Sequence, residues 1–286
     1  MNLQGKRVLV TGAAGGIGSA LVAALLDAEA HVLLSGRDHS ALQRVVARVD
    51  KELSRSAIFA ADLSKPQDRS ALCSFASRWR GGIDIVINNA GVADFALLQR
   101  QSAESIQAAL TTNLLAPIDL CRQLVPYLEL RDEAHIVNIG SVFGHIGFAA
   151  NSVYCATKFG LRGFSEALRR ELAETKIRVH YFAPRATHTK LNHSAVDDMN
   201  ATLGNACDDP EDVARAIVRA LQADRLESIF GWPEKFFARL NAVLPRIVDA
   251  ALKKKLPTVQ LFAHRASTIA PITARIDRGT ATRRAG

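Results

Sequence analysis

Cysteine is scarce in this chain and widely spaced. The four cysteines among its 286 residues form no C-x-x-C pair. Cysteine-based zinc sites and disulfide frameworks both depend on closer, regular spacings. We therefore expect reduced thiols and no metal site. The four are Cys73, Cys121, Cys155 and Cys207.

Aromatic residues and long apolar runs are also few. Aromatics make up 6% of the chain, with two tryptophans, which argues against a base-stacking platform and a nucleic-acid partner. No window approaches the roughly 20 apolar residues that a membrane-spanning helix requires. The first residues, MNLQGKRVLVTG, lead into a strand pattern and lack the layout of a signal peptide. These features predict a soluble, cytoplasmic protein.

Positive and negative residues are balanced over most of the chain. The net charge is +8, which by itself would suggest a polyanionic partner. Residues 231–286 contain 11 Lys and Arg against three Asp and Glu, whereas the preceding 230 residues contain 25 of each sign. The basic character therefore belongs to the C-terminal segment.

Apolar residues are abundant, at 48% of the chain, and many lie in short runs between helical patterns. Runs such as KRVLVTG, AHVLLSG and IDIVINN are nearly continuous in apolar side chains, as strands buried on both faces are. The segments between them have the length of helical crossovers. The sequence predicts an α/β fold over residues 1–231, with a doubly wound parallel sheet of about seven strands and helices on both faces.

Helices are predicted near residues 16–28, 40–53, 67–79 and 152–174, and another long helix runs through Asn113. Asp209 as N-cap and Pro210 in the first turn predict a further helix, and LESIFG a last strand. Residues 232–286 are predicted to form a basic, amphipathic helical extension. Its end, from about Thr268, is expected to be only partly ordered.

A glycine-rich loop, TGAAGGIG, lies between the first predicted strand and the first helix. Backbone amides at such a helix start can meet a phosphate without side chains intervening. Two spacings fit the loop. T-G-x-x-x-G-x-G uses Gly12, Gly16 and Gly18, whereas G-x-x-G-x-x-G has Gly15 in the middle. Either one predicts a dinucleotide site.

The end of the second strand bears on the choice of dinucleotide. NAD sites of this kind carry an acid about 20 residues beyond the loop. The sequence there reads SGRD, with Arg37 followed by Asp38. A guanidinium pairs bidentately with a 2′-phosphate, and Asp38 counts against this reading unless it caps the next helix. We expect NADP(H) in preference to NAD(H).

The segment SVYCATK, residues 152–158, places Tyr154 and Lys158 one helical turn apart, so both side chains reach one cleft. A free phenol has a pKa near 10 and is a slow proton donor at neutral pH. A cation about 4 Å away, at an effective dielectric of about 20, contributes roughly 4 kcal/mol, enough to lower that pKa by up to about three units. We expect an acid–base pair. Ser141, at the end of the strand HIVNIGS, lies at the ligand-binding edge of a parallel sheet.

Five features taken together resemble the short-chain dehydrogenase/reductase family in its compact, single-domain form. They are TGAAGGIG, NNAG at 88–91, Asn113, Ser141 and Y-x-x-x-K at 154–158. The resemblance covers about residues 5–231. It implies a Rossmann-like fold, a homo-oligomer, a nicotinamide cofactor, and interconversion of a ketone and a secondary alcohol.

The resemblance also implies roles for individual residues. Tyr154 would exchange a proton with the substrate oxygen, and Ser141 would hydrogen-bond that oxygen. Lys158 would bind the nicotinamide ribose and lower the Tyr154 pKa, while Asn113 would hold a water that connects Lys158 to solvent. Asp62 would hydrogen-bond the adenine. The implied cofactor contacts are Gly12, Gly16, Ile17, Gly18, Arg37, Asp62, Leu63, Asn89, Ala90, Gly91, Tyr154, Lys158, Pro184, Thr187 and Thr189.

One departure from the family pattern follows the strand KIRVHYFAP. The family usually has Pro-Gly there and then a threonine that meets the nicotinamide carboxamide. Here Arg185 follows Pro184, with Thr187 and Thr189 beyond. We expect Arg185 either to point away from the site or to reach an anionic substrate group, and Thr189 to keep the carboxamide contact.

Substrate selection is expected from two segments. The first is VFGHIGFAA after Ser141, with His145 and Phe148 facing the cleft. The second runs from Lys190 to Cys207 and is predicted to be a polar loop that acts as a lid.

The extension contains the pattern WPEKFFARLNAVLPRIVDAALKKKL, in which Pro245 either kinks one helix or begins a second. Its helix could pack on its own domain, cover a subunit interface, roof the active-site mouth or lie on an anionic membrane. Membrane contact would favour a lipophilic ketone, such as a 3-oxoacyl chain. The apolar residues predicted to share one face are Phe236, Phe237, Leu240, Val243, Leu244, Ile247, Val248 and Leu252.

Three functions compete. The leading hypothesis is an NADP-linked oxidoreductase that acts on a small-molecule carbonyl or alcohol. The alternatives are a dinucleotide-binding regulatory protein without turnover, against which the complete set of catalytic residues argues, and an epimerase or dehydratase that uses the cofactor transiently. The sequence has no long second substrate domain to support the last.

Overall fold

A single parallel sheet organises the chain. The computed structural model describes residues 1–50, 54–189, 191–192 and 194–268. The seven strands pair in the order β3-β2-β1-β4-β5-β6-β7, and every pairing is parallel. This confirms the predicted sheet. The strands are β1 (Arg7–Thr11), β2 (His31–Gly36), β3 (Ser56–Ala60), β4 (Ile85–Asn88), β5 (Ala134–Ile139), β6 (Ile177–Ala183) and β7 (Glu227–Ile229).

Successive strand residues point to opposite sides of the sheet. Both faces therefore present apolar side chains, and helices cover both. Val8 and Val10 pack into a core with helices α1 and α8, whereas Leu9 packs into a second core with α3 and α5. All three side chains are fully buried. The helices are α1 (Gly16–Asp27), α2 (His39–Val49), α3 (Pro66–Ala76), α4 (Ala103–Leu110), α5 (Ala116–Leu128), α6 (Ser152–Glu171), α7 (Ser194–Thr202), α8 (Pro210–Gln222), α9 (Glu234–Val243) and α10 (Pro245–Thr268).

The strand order reverses between β1 and β4, which lie side by side although β2 and β3 separate them in sequence. Crossovers leave these two strands in opposite directions, so a crevice opens at their carboxyl ends. The glycine-rich loop follows β1, and the NNAG segment begins at the last residue of β4. The topology therefore brings the two motifs together.

Several predicted helix bounds are longer than the observed ones. The helix predicted to residue 174 ends at Glu171, and the helix predicted to residue 79 ends at Ala76. The helix predicted to residue 53 ends at Val49, and residues 51–53 lie outside the described residues. Asp50 stops that helix because its carboxylate accepts hydrogen bonds from the backbone N–H groups of Ser54 and Arg55.

The segment from Lys190 to Cys207, predicted to be a loop, contains helix α7. Ala195 and Met199 lie four residues apart on one face of this helix, and both are buried against α10. A spacing of four between apolar residues indicates a helix. The polar residues around Ala195 and Met199 made that pattern difficult to recognise in the sequence. Lys190 and His193 lie outside the described residues.

The C-terminal extension forms two helices, with α10 beginning at Pro245. The predicted single apolar face is wrong. Leu240, Val248 and Leu252 pack towards the body of the protein, against Val142 and neighbouring residues. Other apolar residues of the pattern, on both helices, are exposed to solvent. These exposed residues are Phe236, Phe237, Val243, Leu244 and Ile247.

The predicted partly ordered end, beyond Thr268, lies outside the described residues. None of the helices in the described ranges combines the length and apolarity needed to cross a membrane.

Candidate active site

The glycine-rich loop leaves no room for side chains. Gly12 has φ +64°, and a Cβ on it would lie 2.7 Å from the Ala90 Cα. A Cβ on Gly18 would overlap the Gly12 carbonyl oxygen, and one on Gly16 would lie 2.5 Å from the Thr189 side chain. A Cβ on Gly15 would meet only the Gly12 oxygen, at 3.2 Å. The structure therefore favours the spacing of Gly12, Gly16 and Gly18.

This loop fits a dinucleotide phosphate. Helix α1 starts at Gly16, and its first turn contains no acidic residue. The N–H groups at a helix start carry partial positive charge and attract anions. Ile17 is half-buried against the core below, so the opening of the helix is held in place.

The NNAG segment is tied to the glycine-rich loop by Thr11, a residue that sequence reasoning did not assign. The backbone N–H groups of Asn89 and Ala90 both donate to the Thr11 hydroxyl, at 3.0 and 3.1 Å. The Asn89 side chain donates to the Thr11 carbonyl at 3.0 Å. The sequence feature that could have indicated this role is the position of Thr11 as the last residue of β1. The crevice wall is therefore rigid, and Gly91 continues it towards Asn113.

The ends of β2 and β3 place Arg37 and Asp62 near each other. Arg37 is exposed. Asp38 caps α2 by accepting from the Ala41 N–H at 3.1 Å, which gives that acid a structural role. Burial acts to raise the pKa of Asp62, but hydrogen bonds from Ser64 and the charge of Arg37 outweigh it and hold that pKa below its usual value. Asp62 is thus an anion beside the Arg37 cation.

Leu63, the next predicted cofactor contact, is a buried core residue. Its side chain packs in the core that includes Leu72 and Leu120. Its carbonyl accepts from Arg69 at 2.9 Å.

Tyr154 and Lys158 share one face of α6, as the spacing predicts. Lys158 is 4% exposed, and its Nζ donates to the Ile139 carbonyl at 3.0 Å. The same Nζ lies 5.6 Å from the centre of the Tyr154 ring. The ammonium is therefore held beneath the phenol, at the end of β5.

The expected lowering of the Tyr154 pKa is not found in the protein alone. Burial raises the pKa of Tyr154 to about 12, and a hydrogen bond with Ser141 opposes part of that rise. Burial also lowers the pKa of Lys158 to about 8. The reason is that desolvation favours the neutral form of each group. Tyr154 is consequently protonated at neutral pH. Lys158 is charged there and loses its charge as pH rises past about 8.

Ser141 faces the Tyr154 hydroxyl because of its place at the end of β5. Its Oγ accepts from the Phe143 N–H at 3.1 Å, which leaves its hydroxyl proton for another acceptor. The backbone N–H of Val142 donates to the Pro184 carbonyl at 2.9 Å and anchors the turn. The two hydroxyl groups can therefore meet one substrate oxygen.

Asn113 lies in a π-helical turn, Thr111–Leu115, between α4 and α5. Its side chain exchanges two hydrogen bonds of 2.8 Å with the backbone of Val92 and also donates to Thr157 at 3.2 Å. The amide thus fastens the β4 loop to α6. Its proposed part in holding a water remains a prediction.

A buried polar chain that the motifs did not reveal supports α6. Asn88 donates to Asn138 at 2.8 Å, and Asn138 donates to Ser165 at 2.8 Å. The signal was an asparagine inside an otherwise apolar strand, IVNI. The chain connects β4 and β5 with the helix that carries Tyr154.

Arg185 points away from the catalytic pair. It forms two hydrogen bonds with the Asp208 carboxylate, at 2.6 and 2.9 Å, and an ion pair with Glu234 at 3.2 Å. Its charge is thereby neutralised within the chain. Of the two threonines beyond it, Thr187 is buried and donates back to the Arg185 carbonyl at 3.0 Å. Thr189 instead contacts Gly16 and so faces the glycine-rich loop.

An apolar wall extends from Tyr154. The rings of Phe143 and Phe148 stack at 5.1 Å, and Phe143 meets Tyr154 edge-on at 6.4 Å. Phe148 also packs against a cluster built from the β4 loop, α7 and the second half of α10. This apolar wall is therefore Phe143 and Phe148 together with Phe95, Met199, Val259 and Phe262.

His145 does not face this wall, contrary to expectation. It is 6% exposed and lies edge-on to Tyr181, with its Nε2 3.8 Å from Glu227. It lines a separate cavity of about 820 Å³ at the β7 edge of the sheet. Tyr154 and Lys158 lie outside that cavity.

Known proteins resemble this chain in sequence and fold. The short chain dehydrogenase family model matches residues 6–200. The ketoacyl reductase HetN of Nostoc is 34% identical over 228 residues, 79% of this chain and 79% of HetN. A solved short-chain dehydrogenase from Sphingobium yanoikuyae in complex with NADPH is 28% identical, with a TM-score of 0.73 over 88% of this chain and 95% of that one. A Burkholderia phymatum enzyme in complex with NAD, at 22% identity and a TM-score of 0.77 over 85% of this chain and 94% of that one, shares the fold.

We predict that the Lys158 ammonium makes proton donation by Tyr154 sensitive to pH. Lysine loses its charge as pH rises through its pKa, here about 8, whereas Tyr154 stays protonated up to about 12. A rate that depends on Tyr154 as acid should hold steady below neutrality and fall as pH passes 8. Steady-state kcat measured across pH tests this. A Lys158→Arg variant that retains activity should shift the fall to higher pH, and a wild-type profile that stays flat well past pH 8 would contradict the assignment.

Proposed function

This chain belongs to the short-chain dehydrogenase/reductase family, and from that premise we propose that it reduces a lipophilic ketone of the 3-oxoacyl type to a secondary alcohol with NADPH. One observation carries the proposal. The Tyr154 hydroxyl is hydrogen-bonded with Ser141, and the buried Lys158 ammonium lies 5.6 Å from the centre of the Tyr154 ring.

Each catalytic residue has a distinct task at the substrate oxygen. The reduced dinucleotide, when bound, supplies a hydride to the carbonyl carbon. Tyr154 donates its proton to the oxygen as negative charge develops there, and Ser141 donates a hydrogen bond to the same oxygen. Lys158 stabilises the resulting phenolate, because a buried cation 5.6 Å from the ring acts in a medium of low dielectric.

The preference for NADPH rests on the end of β2. Arg37 is exposed there, and Asp38, the acid that could have bound an NAD ribose, accepts hydrogen bonds from Ala41 and Ser40 within its own cap. A guanidinium at this point can pair with a 2′-phosphate. The solved relatives in complex with NADPH or NAD are compatible with either cofactor at this fold.

A lipophilic substrate is supported by the extension. The second half of α10 packs on α7 and completes the apolar wall through Phe262. This packing supports the proposal that the extension roofs the mouth of the site with apolar side chains. We also propose a homo-oligomer, since Leu110, Leu115 and Phe159 are exposed on the α4 to α6 side of the molecule.

The proposed reaction can be tested with 3-oxoacyl thioesters of increasing chain length. NADPH oxidation should become more efficient with length, by up to roughly fourfold per methylene that is buried, at about 0.8 kcal/mol each. Tyr154→Phe should lower kcat by a factor on the order of 10² to 10⁴. The matched control is Tyr127→Phe, since that ring is 44% exposed and remote from the site. Full turnover by Tyr154→Phe, or equal efficiency for all lengths, would count against the proposal.

The cofactor preference can be tested by removing one charge. Arg37→Gln should raise KM for NADPH by roughly tenfold to 100-fold, because a hydrogen bond to a charged group contributes about 1.5–3 kcal/mol. KM for NADH should stay the same. Arg44→Gln, an exposed change in the neighbouring helix, serves as control. An equal change in KM for NADPH and NADH on Arg37→Gln would show that this side chain does not bind the 2′-phosphate.

We further propose peripheral contact with anionic membranes through an exposed patch on the extension. Trp232 is 71% exposed and lies 6.0 Å from the exposed Phe236 ring, which in turn meets Phe237 at 5.7 Å. Lys235 and Arg239 are exposed on the same helix. Apolar side chains beside cations suit the interface of an anionic bilayer.

Sedimentation with vesicles tests this contact. The protein should bind phosphatidylserine-containing vesicles at low salt and leave them at high salt, because each nearby Lys or Arg contributes about 1 kcal/mol that salt screens. Changing Phe236 and Phe237 together to Glu should abolish binding. Leu130→Glu, at a 79% exposed site elsewhere, should not. Binding that is indifferent to salt and to the double change would rule out this surface.

A further inference from the structure

Two buried histidines lie towards the amino ends of the strands, on the side of the sheet away from the catalytic edge. His135 is the second residue of β5, and His180 is in the middle of β6. The register of the two strands pairs His135 with Arg178 and Val137 with His180, so both imidazoles point to the same face. Asp224, just beyond α8, closes the group. This histidine–aspartate cluster is His135, His180 and Asp224.

The ligand atoms of the cluster lie close together. His135 Nδ1 is 2.9 Å from His180 Nε2, and that Nε2 is 4.0 Å from an Asp224 carboxylate oxygen. The three ligand atoms all lie within 4.8 Å of one another. Both imidazoles are at most 1% exposed. Few such groups remain buried in an apolar core without a partner for every polar atom.

The hydrogen bonds leave this cluster unsatisfied when it holds no cation. His180 Nδ1 faces the Arg225 carbonyl at 2.8 Å, and because a carbonyl only accepts, Nδ1 carries the proton and Nε2 a lone pair. His135 must then donate from Nδ1. Its Nε2 is left as a lone pair, 3.5 Å from a Glu133 carboxylate oxygen. Two acceptors face each other at that point.

A second pair of hydrogen-bond acceptors also lies together without a proton between them. The Asp224 Oδ1 faces the lone pair of His180 Nε2. Among the described residues, neither this oxygen nor His135 Nε2 has a hydrogen-bond partner. Each unsatisfied buried group costs about 1–3 kcal/mol.

In this hydrogen-bond arrangement each imidazole carries one proton and is neutral. Neutral imidazoles are the form that ligates metals.

We propose that His135, His180 and Asp224 form a binding site for a divalent transition-metal ion of the zinc class. With a cation at the centre, His135 takes the other tautomer: Nδ1 ligates, and Nε2 donates its proton to Glu133. His180 ligates through Nε2 while Nδ1 keeps its bond to the Arg225 carbonyl. Asp224 ligates through Oδ1. Every atom that is unsatisfied without the ion then has a partner.

The surroundings match those of metal-ligating histidines, which donate their second N–H to a carboxylate or a carbonyl. Glu133 has its other oxygen on Lys6 at 2.9 Å, and Asp224 has its other oxygen on Arg178. Each carboxylate is thus held by a surface cation and directs its second oxygen inward. Two imidazoles and one carboxylate favour zinc, cobalt or nickel over magnesium or calcium.

The ligand atoms must move to reach bonding distance, with no pair closing by more than about 1.5 Å. Zinc bonds of about 2.0–2.1 Å in tetrahedral geometry place ligand atoms roughly 3.3 Å apart. The 2.9 Å pair must open and the 4.0 Å pair must close, each by about half an ångström or more. The Asp224 side chain is 40% exposed, so water can supply a fourth ligand. The ion would join β5, β6 and the α8–β7 connection, and it would stabilise the fold without touching the catalytic edge.

Full-length protein freed of metal with a chelator and then titrated with Zn²⁺ tests the site. We expect one equivalent to bind by calorimetry and to raise Tm, since a ligand that binds only the folded state stabilises it. Co²⁺ in place of Zn²⁺ should give the intense visible bands of a tetrahedral ion. His135→Gln and Asp224→Ala should each weaken binding by at least tenfold, and Glu133→Gln by roughly tenfold to 100-fold. His39→Gln, an exposed histidine on α2, should change nothing.

Two results would overturn the proposal. One is the absence of stoichiometric binding by folded wild-type protein. The other is binding that survives both Asp224→Ala and His135→Gln, or that His39→Gln weakens equally, which would show adventitious surface binding. Asp224 is partly exposed, so its variant should fold, and circular dichroism checks this. Ketone reduction should be the same for Asp224→Ala and wild type, so this test is independent of the proposed function.

Discussion

The buried ammonium of Lys158 is the constraint on which the catalytic arrangement depends. An isolated charge in a protein interior is costly, and one carbonyl, that of Ile139, is the acceptor that holds it at 3.0 Å. Burial lowers the pKa of this lysine to about 8. The phenol above it is desolvated as well. In the proposed reaction, moving a proton onto the substrate oxygen gives Tyr154 a negative charge that Lys158 can offset.

Contacts around the site hold Tyr154 and Lys158 in position. The chain of Asn88, Asn138 and Ser165 connects two strands with α6, and Asn113 fastens the β4 loop to the same helix. Tyr181 fills the space that Gly140 and Gly144 leave open, which sets the turn after Ser141. These contacts are internal and specific, so they help to fix the positions of the two hydroxyls.

The extension packs beside the catalytic edge. Its helices pack on the turn after Ser141 through Val248 and on α7 through Phe262. Arg185 contributes from the other side by joining Asp208 and Glu234, which secures the start of α9. A cation that breaks the family pattern is in this way a structural tie between the sheet and the extension.

The amino-acid sequence alone determined the parallel sheet, the glycine-rich loop and the placement of Tyr154 beside Lys158, because each is a local pattern: apolar runs, close glycines, and a helical spacing of four. Asp38 as a helix cap was similarly within reach. Only the tertiary structure decided what depends on distant segments meeting. It showed that burial raises the Tyr154 pKa, that His145 faces away, that α7 packs as a helix against α10, and that the apolar residues of the extension divide between core and solvent. His135 and His180 are 45 residues apart, and the register of β5 with β6 brings them within 2.9 Å. Burial and long-range pairing are properties of the assembled fold, and no short stretch of sequence carries them.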